Sequence, residues 1–438
     1  MRLGFENHKE FSTRNHGFTV ADFLTLEILN KILNWEHGDP YSHDLKCNNR
    51  IPEIPINMKE RNPRAYVPRN VSIGPYHYGD PQLDRMQVDK MRALRHFVKR
   101  GRHPMETYLE ALMEVVTPCR ESYGQLEKQW QDETHFCLLM LIDGVFVLEF
   151  LSVTRGNQNN YDYAATDPIF GHEGHMLIYG AIMQDLLMVE NQLPYLVLST
   201  LLSVSEGLPE QSIHNILSWM MFAPNIDPGL HLLDMYLKGL LADGQRAEAE
   251  EEEEDQQQEY RIGNIAASKL CKRGVKFVAV QSYAKMRLDK NTGTLLLPTI
   301  HITKQNISKI LNMIAFERRE GTNKDFNSYI DLLDSLIQSP KDVNQLRSQG
   351  IIVNSSSSDE TVMDLIKEIT KDAVRGVMDS RSNLVRQDII EYCQTGAGTR
   401  ICRKSPYNLK SVLRRSSDIF SHLPSQREFL KLCIIKFN

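Results

Sequence analysis

The 438-residue sequence lacks the cysteine and glycine patterns that mark several common functional classes. Its seven cysteines are odd in number and widely spaced, and no CxxC pair occurs. This pattern argues against both a disulfide framework and a zinc knuckle. Neither GxxxxGK[ST] nor GxGxxG is present, so the sequence has no recognisable phosphate-binding loop. We therefore expect no cofactor and no bound nucleotide.

The first residues also lack the apolar core of a signal peptide, so we expect a cytoplasmic protein with reduced cysteines. The net charge of −5 does not favour nucleic-acid binding. Charge is nevertheless unevenly distributed, because residues 248–259 contain eight acidic and no basic side chains. A block of like charges repels itself and extends, which predicts an exposed acidic loop at 243–262.

Two apolar runs, 136–151 and 186–202, come close to membrane-spanning length. Polar side chains interrupt both runs: Asp143 and Glu149 in the first, and Glu190, Asn191 and Gln192 in the second. A charged group at the centre of a membrane helix costs roughly 2.5–3.5 kcal/mol, whereas a leucine returns only about 0.3–0.6 kcal/mol. These runs therefore predict buried core helices rather than membrane spans.

Apolar residues recur at helical spacing through most of the chain, whereas extended patterns are few. The spacing predicts helices at 20–35, 82–113, 134–151, 178–202, 212–222, 229–241, 307–316, 329–337, 357–377 and 384–392. Mixed charges at 84–100 predict a solvated helix face. Short strands are predicted near 71–73, 275–280 and 294–303, the last two forming a hairpin or ribbon. The predicted fold is mainly α, with a small β element.

Buried carboxylates such as Asp143, Glu149 and Glu190 can acquire the raised pKa values of general acids and bases. No nucleophile motif accompanies them, so hydrogen bonding to helix starts, or pairing with a cation, is the competing interpretation. His172 and His175 lie three residues apart between glycines, which is the wrong spacing for a helical zinc motif and predicts loop histidines. His77 is predicted to be a turn residue stacked on its neighbouring tyrosines.

The polar residues of the second apolar run suggest a break between two helices. Asn191 is a good helix N-cap, which would place Pro194 in the first turn, where a missing amide is harmless. Glu190 and Gln192 could then satisfy the backbone groups that such a break leaves buried. A similar argument places a capping box at Ser357 and Glu360.

Several stretches resemble a known plant family, the domain-of-unknown-function 247 family. They include RAYVPRNVSIGPYHYGDPQL (64–83), LMLIDGVFVLEFL (139–151), DPIF (167–170), DLLMVENQLPYLVL (185–198), KRGVKF (272–277), LLLPTIHI (295–302) and EYC (391–393). The resemblance implies a mostly helical plant protein without an established enzymatic activity. The positions that match the family motifs, and for which we expect structural roles, are Ser72, Gly74, Pro75, His77, Asp143, Gly144, Glu149, Glu190, Asn191, Gln192 and Pro194.

The resemblance also frames the domain organisation. We expect an N-terminal helical extension at 1–45, a family domain at 46–395 that the acidic loop interrupts, and a basic tail at 396–438. Similar proteins usually end in one transmembrane helix after the EYC region, whereas this chain has a basic, polar tail there. Some grass members of the family are linked to pollen-side self-incompatibility.

We therefore expect a non-enzymatic interaction or recognition protein that meets an unknown protein partner through its surface loops at 205–230, 243–262 and 318–328. One alternative is an unrecognised enzyme that uses Glu190 or Asp143. Another is a peripheral protein that touches anionic lipid through its basic residues at 398–438.

Overall fold

The protein is described from a computed structural model covering residues 50–154, 163–220, 228–242, 265–319, 324–354, 358–375 and 380–394. The predicted N-terminal extension, acidic loop and basic tail lie outside these residues. Within them the chain is mainly α-helical, as predicted, with five short strands.

The longest helix, α5, is buried on all sides. It covers Glu133–Thr154, and apolar residues lie on all its sides, with Asp143 and Glu149 as isolated charged residues rather than a polar stripe. Such a helix is stable only when other elements surround it. Helices α2, α3 and α7 pack around it, so α5 forms the centre of the first half of the protein.

Shorter amphipathic helices complete this first half, and glycine or proline residues separate many of them. They are α1 (Ile56–Arg61), α2 (Arg85–Arg100), α3 (Met105–Glu114), α4 (Val116–Glu121), α6 (His172–Leu186), α7 (Tyr195–Glu206), α8 (Glu210–Met220) and α9 (Leu232–Leu241). A short 3₁₀ helix, Lys128–Gln131, precedes α5.

The second half combines helices with two small sheets. Its elements are α10 (Ala267–Lys272), β1 (Lys276–Val280), β2 (Arg287–Asp289), β3 (Thr294–Pro298), β4 (Ile300–His301), α11 (Asn306–Glu317), α12 (Asp325–Leu336), α13 (Pro340–Ser348), β5 (Ile352–Val353), α14 (Asp359–Thr370) and α15 (Arg381–Gln394). A 3₁₀ turn, Tyr283–Lys285, lies before β2. The predicted strands at 275–280 and 294–303 are present.

The pairing of these strands differs from the predicted hairpin. β1 and β3 are parallel, and the unpredicted β2 is antiparallel to β3, giving the order β1-β3-β2. β4 pairs in parallel with β5 in a separate sheet. A parallel pair needs a crossover between its strands, and the residues between β1 and β3 supply it together with β2.

The break predicted within the apolar pattern 178–202 is present, since α6 ends at Leu186 and α7 begins at Tyr195. Three further predictions are corrected, and the first is that residues 71–73 form no strand. The N-cap of α14 is Ser358, which accepts the amide of Thr361, rather than Ser357, which lies outside the described residues. Because α14 ends at Thr370, the apolar spacing that continued to 377 overestimated its length.

The segment between α1 and α2, around Ala65, contacts both halves of the protein. The carbonyl of Ala65 accepts hydrogen bonds from Ser308 Oγ and Asn312 Nδ2 of α11. Asn312 Oδ1 in turn accepts the amide of Val189, just after α6. A segment without regular structure therefore lies between α6 and α11, and it carries the first of the motif residues.

Candidate functional site

The backbone amides of residues 69–71, 73 and 74 are hydrogen-bonded by side chains rather than by a neighbouring strand. The carboxylate of Asp185 accepts the amides of Arg69, Asn70 and Val71 at 2.6–3.2 Å. Burial raises the pKa of this carboxyl, and the three amides oppose the rise. This arrangement explains why 71–73 is not a strand, since the amides that a strand partner would take are already bonded.

Asn191 binds the same segment from the loop between α6 and α7. Its Oδ1 accepts the amide of Ile73 at 2.6 Å, and its Nδ2 donates to the carbonyls of Val71 and Asp185. The local sequence suggested that Asn191 is a helix N-cap, and this prediction is wrong. The N-cap position of α7 is Pro194, whose extended backbone leads directly into the helix.

Gln192 closes the break between the two helices. Its Nε2 donates to the carbonyls of Leu186 and Met188 at 2.7 Å, which are left open where α6 ends. Its Oε1 accepts the amide of Leu233 in the first turn of α9. The predicted role of this side chain, satisfying the backbone groups of a buried break, matches these contacts.

Lys90 and Asp143 lie at the other side of residues 72–74. Lys90 Nζ is 2.6 Å from Asp143 Oδ1 and 2.5 Å from the carbonyl of Ser72. Asp143 Oδ2 accepts the amide of Gly74 at 2.8 Å. Burial raises the pKa of Asp143, and the Lys90 ammonium opposes the rise. We call residues 69–77, Lys90, Asp143 and residues 185–194 together the polar joint.

Two motif glycines permit close approach inside and beside the polar joint. Gly74 has a φ of +74°, and a Cβ there would lie 2.6 Å from the carbonyl oxygen of Gln192. A Cβ on Gly144 would lie 2.6 Å from Leu201 Cδ1, so the glycine lets α5 and α7 touch. Pro75 follows Gly74 and accepts the amide of Tyr78 in the turn that ends the motif.

Glu190 is bound to the N-terminal segment. Its Oε1 accepts the amide of Ile54 and lies 2.7 Å from Lys59 Nζ, and only 4% of the residue is exposed. His77 Nε2 lies 3.9 Å from Glu190 Oε2 and makes no hydrogen bond to the described residues. Burial, together with the charge of Lys59, lowers the pKa of His77 to about 4. His77 thus faces Glu190. The predicted stacking on its neighbouring tyrosines is wrong, because Tyr76 contacts Tyr123 and Tyr78 contacts Trp130 and His135.

Glu149 lies apart from the polar joint, in a cleft of about 490 Å³. The cleft is formed where α2 ends, by α5, α7 and α8, and is lined by Phe97, Arg100, Gly101, Arg102, Leu148, Glu149, Ser152, Leu202, Ser205, Glu206, Ile216, Trp219 and Met220. Glu149 Oε1 is 2.5 Å from Arg100, and its Oε2 accepts the hydroxyl of Tyr163 at 2.8 Å. Burial raises the pKa of Glu149 against the opposing charge of Arg100.

Sequence reasoning missed Lys90 and the cleft. Lys90 was assigned to the solvated face of α2, although it lies in register with the buried Met86, Ala93 and Leu94 on the apolar face. That position in the helical repeat is the signal that could have identified it. The cleft has no such signal, because its walls come from helices that are far apart in the sequence.

The described residues offer no obvious metal site. His172 and His175 lie in the first turns of α6, not in a loop. The ring nitrogens of His175 already lie 3.0 Å from the carbonyl of Ile169 and the hydroxyl of Thr154. Among the described residues, no group of three or more His, Cys, Asp or Glu side chains could hold a metal ion.

Within the described part of the chain, one helix is long and apolar enough to cross a membrane. This helix is Glu133–Thr154, and 89% of its most apolar window is buried inside the protein. Length and composition alone are weak evidence for a span, since buried core helices share both.

Comparison with known proteins gives a family match over most of the chain. The profile of a family described as plant protein of unknown function, DUF247, matches residues 51–415. UPF0481 protein At3g47200 of Arabidopsis thaliana is 29% identical over 381 residues, which cover 79% of this chain and 77% of the relative. Putative UPF0481 protein At3g02645 of the same plant is 23% identical, with 75% of this chain and 79% of the relative covered. No solved structure gave a significant match.

Proposed function

The chain belongs to the DUF247 family of plant proteins of unknown function, and we propose that it is a non-enzymatic protein that recognises a protein partner through the cleft. One observation carries the proposal. Trp219 is 44% exposed and lines the cleft together with Arg100 and Arg102. Tryptophan and arginine are the residue types that most often dominate the energy of protein interfaces.

The floor of the cleft is suited to binding rather than to chemistry. Both carboxylate oxygens of Glu149 are occupied, one by Arg100 and one by Tyr163. A general acid or base needs an oxygen within hydrogen-bonding reach of the substrate. A charge pair held in one geometry instead gives a partner a preorganised surface, which lowers the entropy lost on binding.

The carboxylates of the alternative enzyme hypothesis support catalysis poorly. Asp143 is fully buried and bonded to Lys90 and the Gly74 amide. Glu190 is bonded to the Ile54 amide and to Lys59. Both residues lie in or against the polar joint, and neither lines the cleft. Their contacts favour a structural role, so we retain the interaction hypothesis.

One of the surface segments that the sequence singled out contributes to this cleft. Five of its lining residues come from the segment 205–230: Ser205, Glu206, Ile216, Trp219 and Met220. Recognition of the self-incompatibility type, which the resemblance implies for some grass members, would place partner-discriminating side chains on such a segment. Contact with anionic lipid through residues 398–438 is a separate possibility that concerns residues outside the described part.

Affinity capture from plant tissue with matched variants tests the proposal. Full-length wild type, Trp219→Ala and Leu384→Ala are used as baits; Leu384 is a comparably exposed apolar residue on α15. We expect a protein that wild type and Leu384→Ala capture and that Trp219→Ala loses. Equal capture by all three baits, or no reproducible partner for any of them, would overturn the proposal.

A further inference from the structure

The outer face of α2 carries a line of exposed cations. The buried face of this helix includes Met86, Ala93 and Phe97. The opposite face and the residues just after it present exposed side chains at spacings of three, four or seven positions, which places them in one row. These residues, which we call the α2 ridge, are Arg85, Val88, Arg95, Lys99 and Arg102.

Three arginines of the α2 ridge have no counter-charge. Arg85, Arg95 and Arg102 form no ion pair or side-chain hydrogen bond with the part of the chain that the structure describes. Arg92, on the same helix, is different, because Asp89 and Asp167 bind its guanidinium. The ridge therefore projects positive charge that the described protein leaves uncompensated.

The α2 ridge leads into the cleft. Arg85 and Lys99 are fourteen positions apart, which corresponds to about 21 Å along a helix. Arg102, at the end of the ridge, is itself part of the cleft wall. An extended segment of about seven residues would span the ridge and still reach the cleft.

Charge changes at the cleft end of this surface. Glu149 and Glu206 balance Arg100 and Arg102 in the lining of the cleft, so the cleft offers an acidic group less net positive charge than the ridge does. An apolar group would meet Phe97, Leu202 and Trp219. The surface is therefore complementary to a ligand with acidic groups along α2 and an apolar group in the cleft.

We propose that the α2 ridge binds an acidic segment of a protein partner whose apolar side chain enters the cleft. This inference rests on the proposed function and adds the chemistry of the partner. Charge complementarity supports it, because three uncompensated arginines lie in one row. A protein segment fits better than a lipid surface, because the cations follow one convex helix and end at a concave cleft. Val88 is the one apolar residue of the ridge, and it is 58% exposed.

A binding assay with a defined peptide tests the ridge directly. The probe is a fluorescein-labelled run of glutamates that ends in one tryptophan, and a glutamine version is the neutral control. The ridge variant is Arg85→Glu/Arg95→Glu/Arg102→Glu. The matched variant, Lys269→Glu/Lys272→Glu/Arg273→Glu, reverses three exposed cations on and just after α10, which packs on α13. Circular dichroism confirms that all full-length forms are folded.

The α2 ridge should account for most of the peptide affinity. We expect the ridge variant to bind the acidic peptide about tenfold more weakly, because three charge pairs are replaced by repulsion. The α10 variant should bind like wild type, and the neutral peptide should bind more weakly to every form. Equal losses in the two variants, or no binding to wild type, would exclude the ridge as an acidic-segment site. Ridge-dependent binding to phosphatidylserine–phosphatidylcholine vesicles without peptide binding would assign it to membranes instead.

Capture from tissue separates this inference from the proposed function. A partner lost by both Trp219→Ala and the ridge variant supports both proposals. A partner lost by Trp219→Ala but kept by the ridge variant leaves the proposed function and overturns the inference. If no form captures a partner, the proposed function is overturned. The peptide assay then still tests whether the α2 ridge binds an acidic segment.

Discussion

Lys90 and Asp143 form an ion pair of 2.6 Å in which neither side chain is exposed to solvent. Each also binds the backbone of the motif segment, Lys90 through the Ser72 carbonyl and Asp143 through the Gly74 amide. A buried pair offsets its desolvation cost only when such additional hydrogen bonds are present. The pair therefore fixes residues 72–74 between α2 and α5.

Removing one partner of this pair should be strongly destabilising. Lys90→Met leaves Asp143 buried without its counter-ion, and we expect a loss of about 3–5 kcal/mol in the free energy of unfolding at neutral pH. Without Lys90, the pKa of Asp143 rises further, so the folded state holds this proton more tightly than the unfolded state. The deficit should shrink as pH falls and grow as pH rises. Urea unfolding at several pH values measures it.

A double variant provides the control for the pair. Lys90→Met/Asp143→Leu removes both charges, so no buried charge is left alone, and we expect it to be more stable than Lys90→Met. If the single and double variants unfold at the same urea concentration, the loss comes from packing and the interpretation as an ion pair is wrong.

Gly74 and Gly79 separate backbone strain from steric contact. Both have positive φ, but a Cβ at Gly74 would lie 2.6 Å from the Gln192 carbonyl, whereas one at Gly79 would meet nothing within 4 Å. Gly79→Ala should cost about 1 kcal/mol from φ alone. Gly74→Ala should cost about 2 kcal/mol more, because the polar joint has to shift. Similar melting temperatures for the two variants would argue against close packing there.

Asn191 and Pro194 should respond differently to substitution. Asn191→Leu deprives the Ile73 amide and the Val71 and Asp185 carbonyls of their partner, for an expected loss of about 2–4 kcal/mol. Pro194→Ala keeps the extended backbone that leads into α7 and should cost less than about 1 kcal/mol. Thermal unfolding of both variants measures this difference, and equal losses would contradict the assigned role of Asn191.

His77 should make the protein sensitive to mild acid. Its pKa in the folded protein, about 4, lies below the ordinary value of 6.5. The stability that the neutral ring contributes is therefore present above pH 6.5 and is lost as pH falls toward 4. His77→Gln cannot titrate and should lose less stability over this interval, by roughly 2–3 kcal/mol. An NMR titration giving His77 a pKa of 6.5 or higher would mean that pairing with Glu190 dominates instead.

Local patterns in the sequence predicted most of the longer helices, but not α1, α4 or α13, and not the partners of the motif residues. The predominantly apolar run 136–151 predicted a buried helix, and the polar residues at 190–192 predicted a break. The side-chain oxygen of Asn191, however, accepts the amide of Ile73, which is 118 positions away. Local sequence favours an N-cap at Asn191, and a tertiary contact overrides that preference.

The cleft shows a second limit of sequence reasoning. Arg100 and Glu149 were both visible as charged residues, but their pairing depends on how α2 packs against α5. Trp219 looked like part of an ordinary amphipathic helix, and only the fold shows that it lines a cavity. Periodicity gives the face on which a side chain lies, but it does not identify the element that faces it.

The polar joint also sets a time order during synthesis. The amides of residues 69–71 are synthesised before their acceptor, Asp185. The amide of Ile54 likewise precedes its acceptor, Glu190, by 136 positions. At a translation rate of about 5–20 residues per second, the interval between Arg69 and Asp185 is roughly 6–23 s. A chain that ends before Asp185 lacks the carboxylate that accepts these amides in the folded protein. In every nascent copy, the amides of residues 69–71 therefore lack their native acceptor until Asp185 has been synthesised.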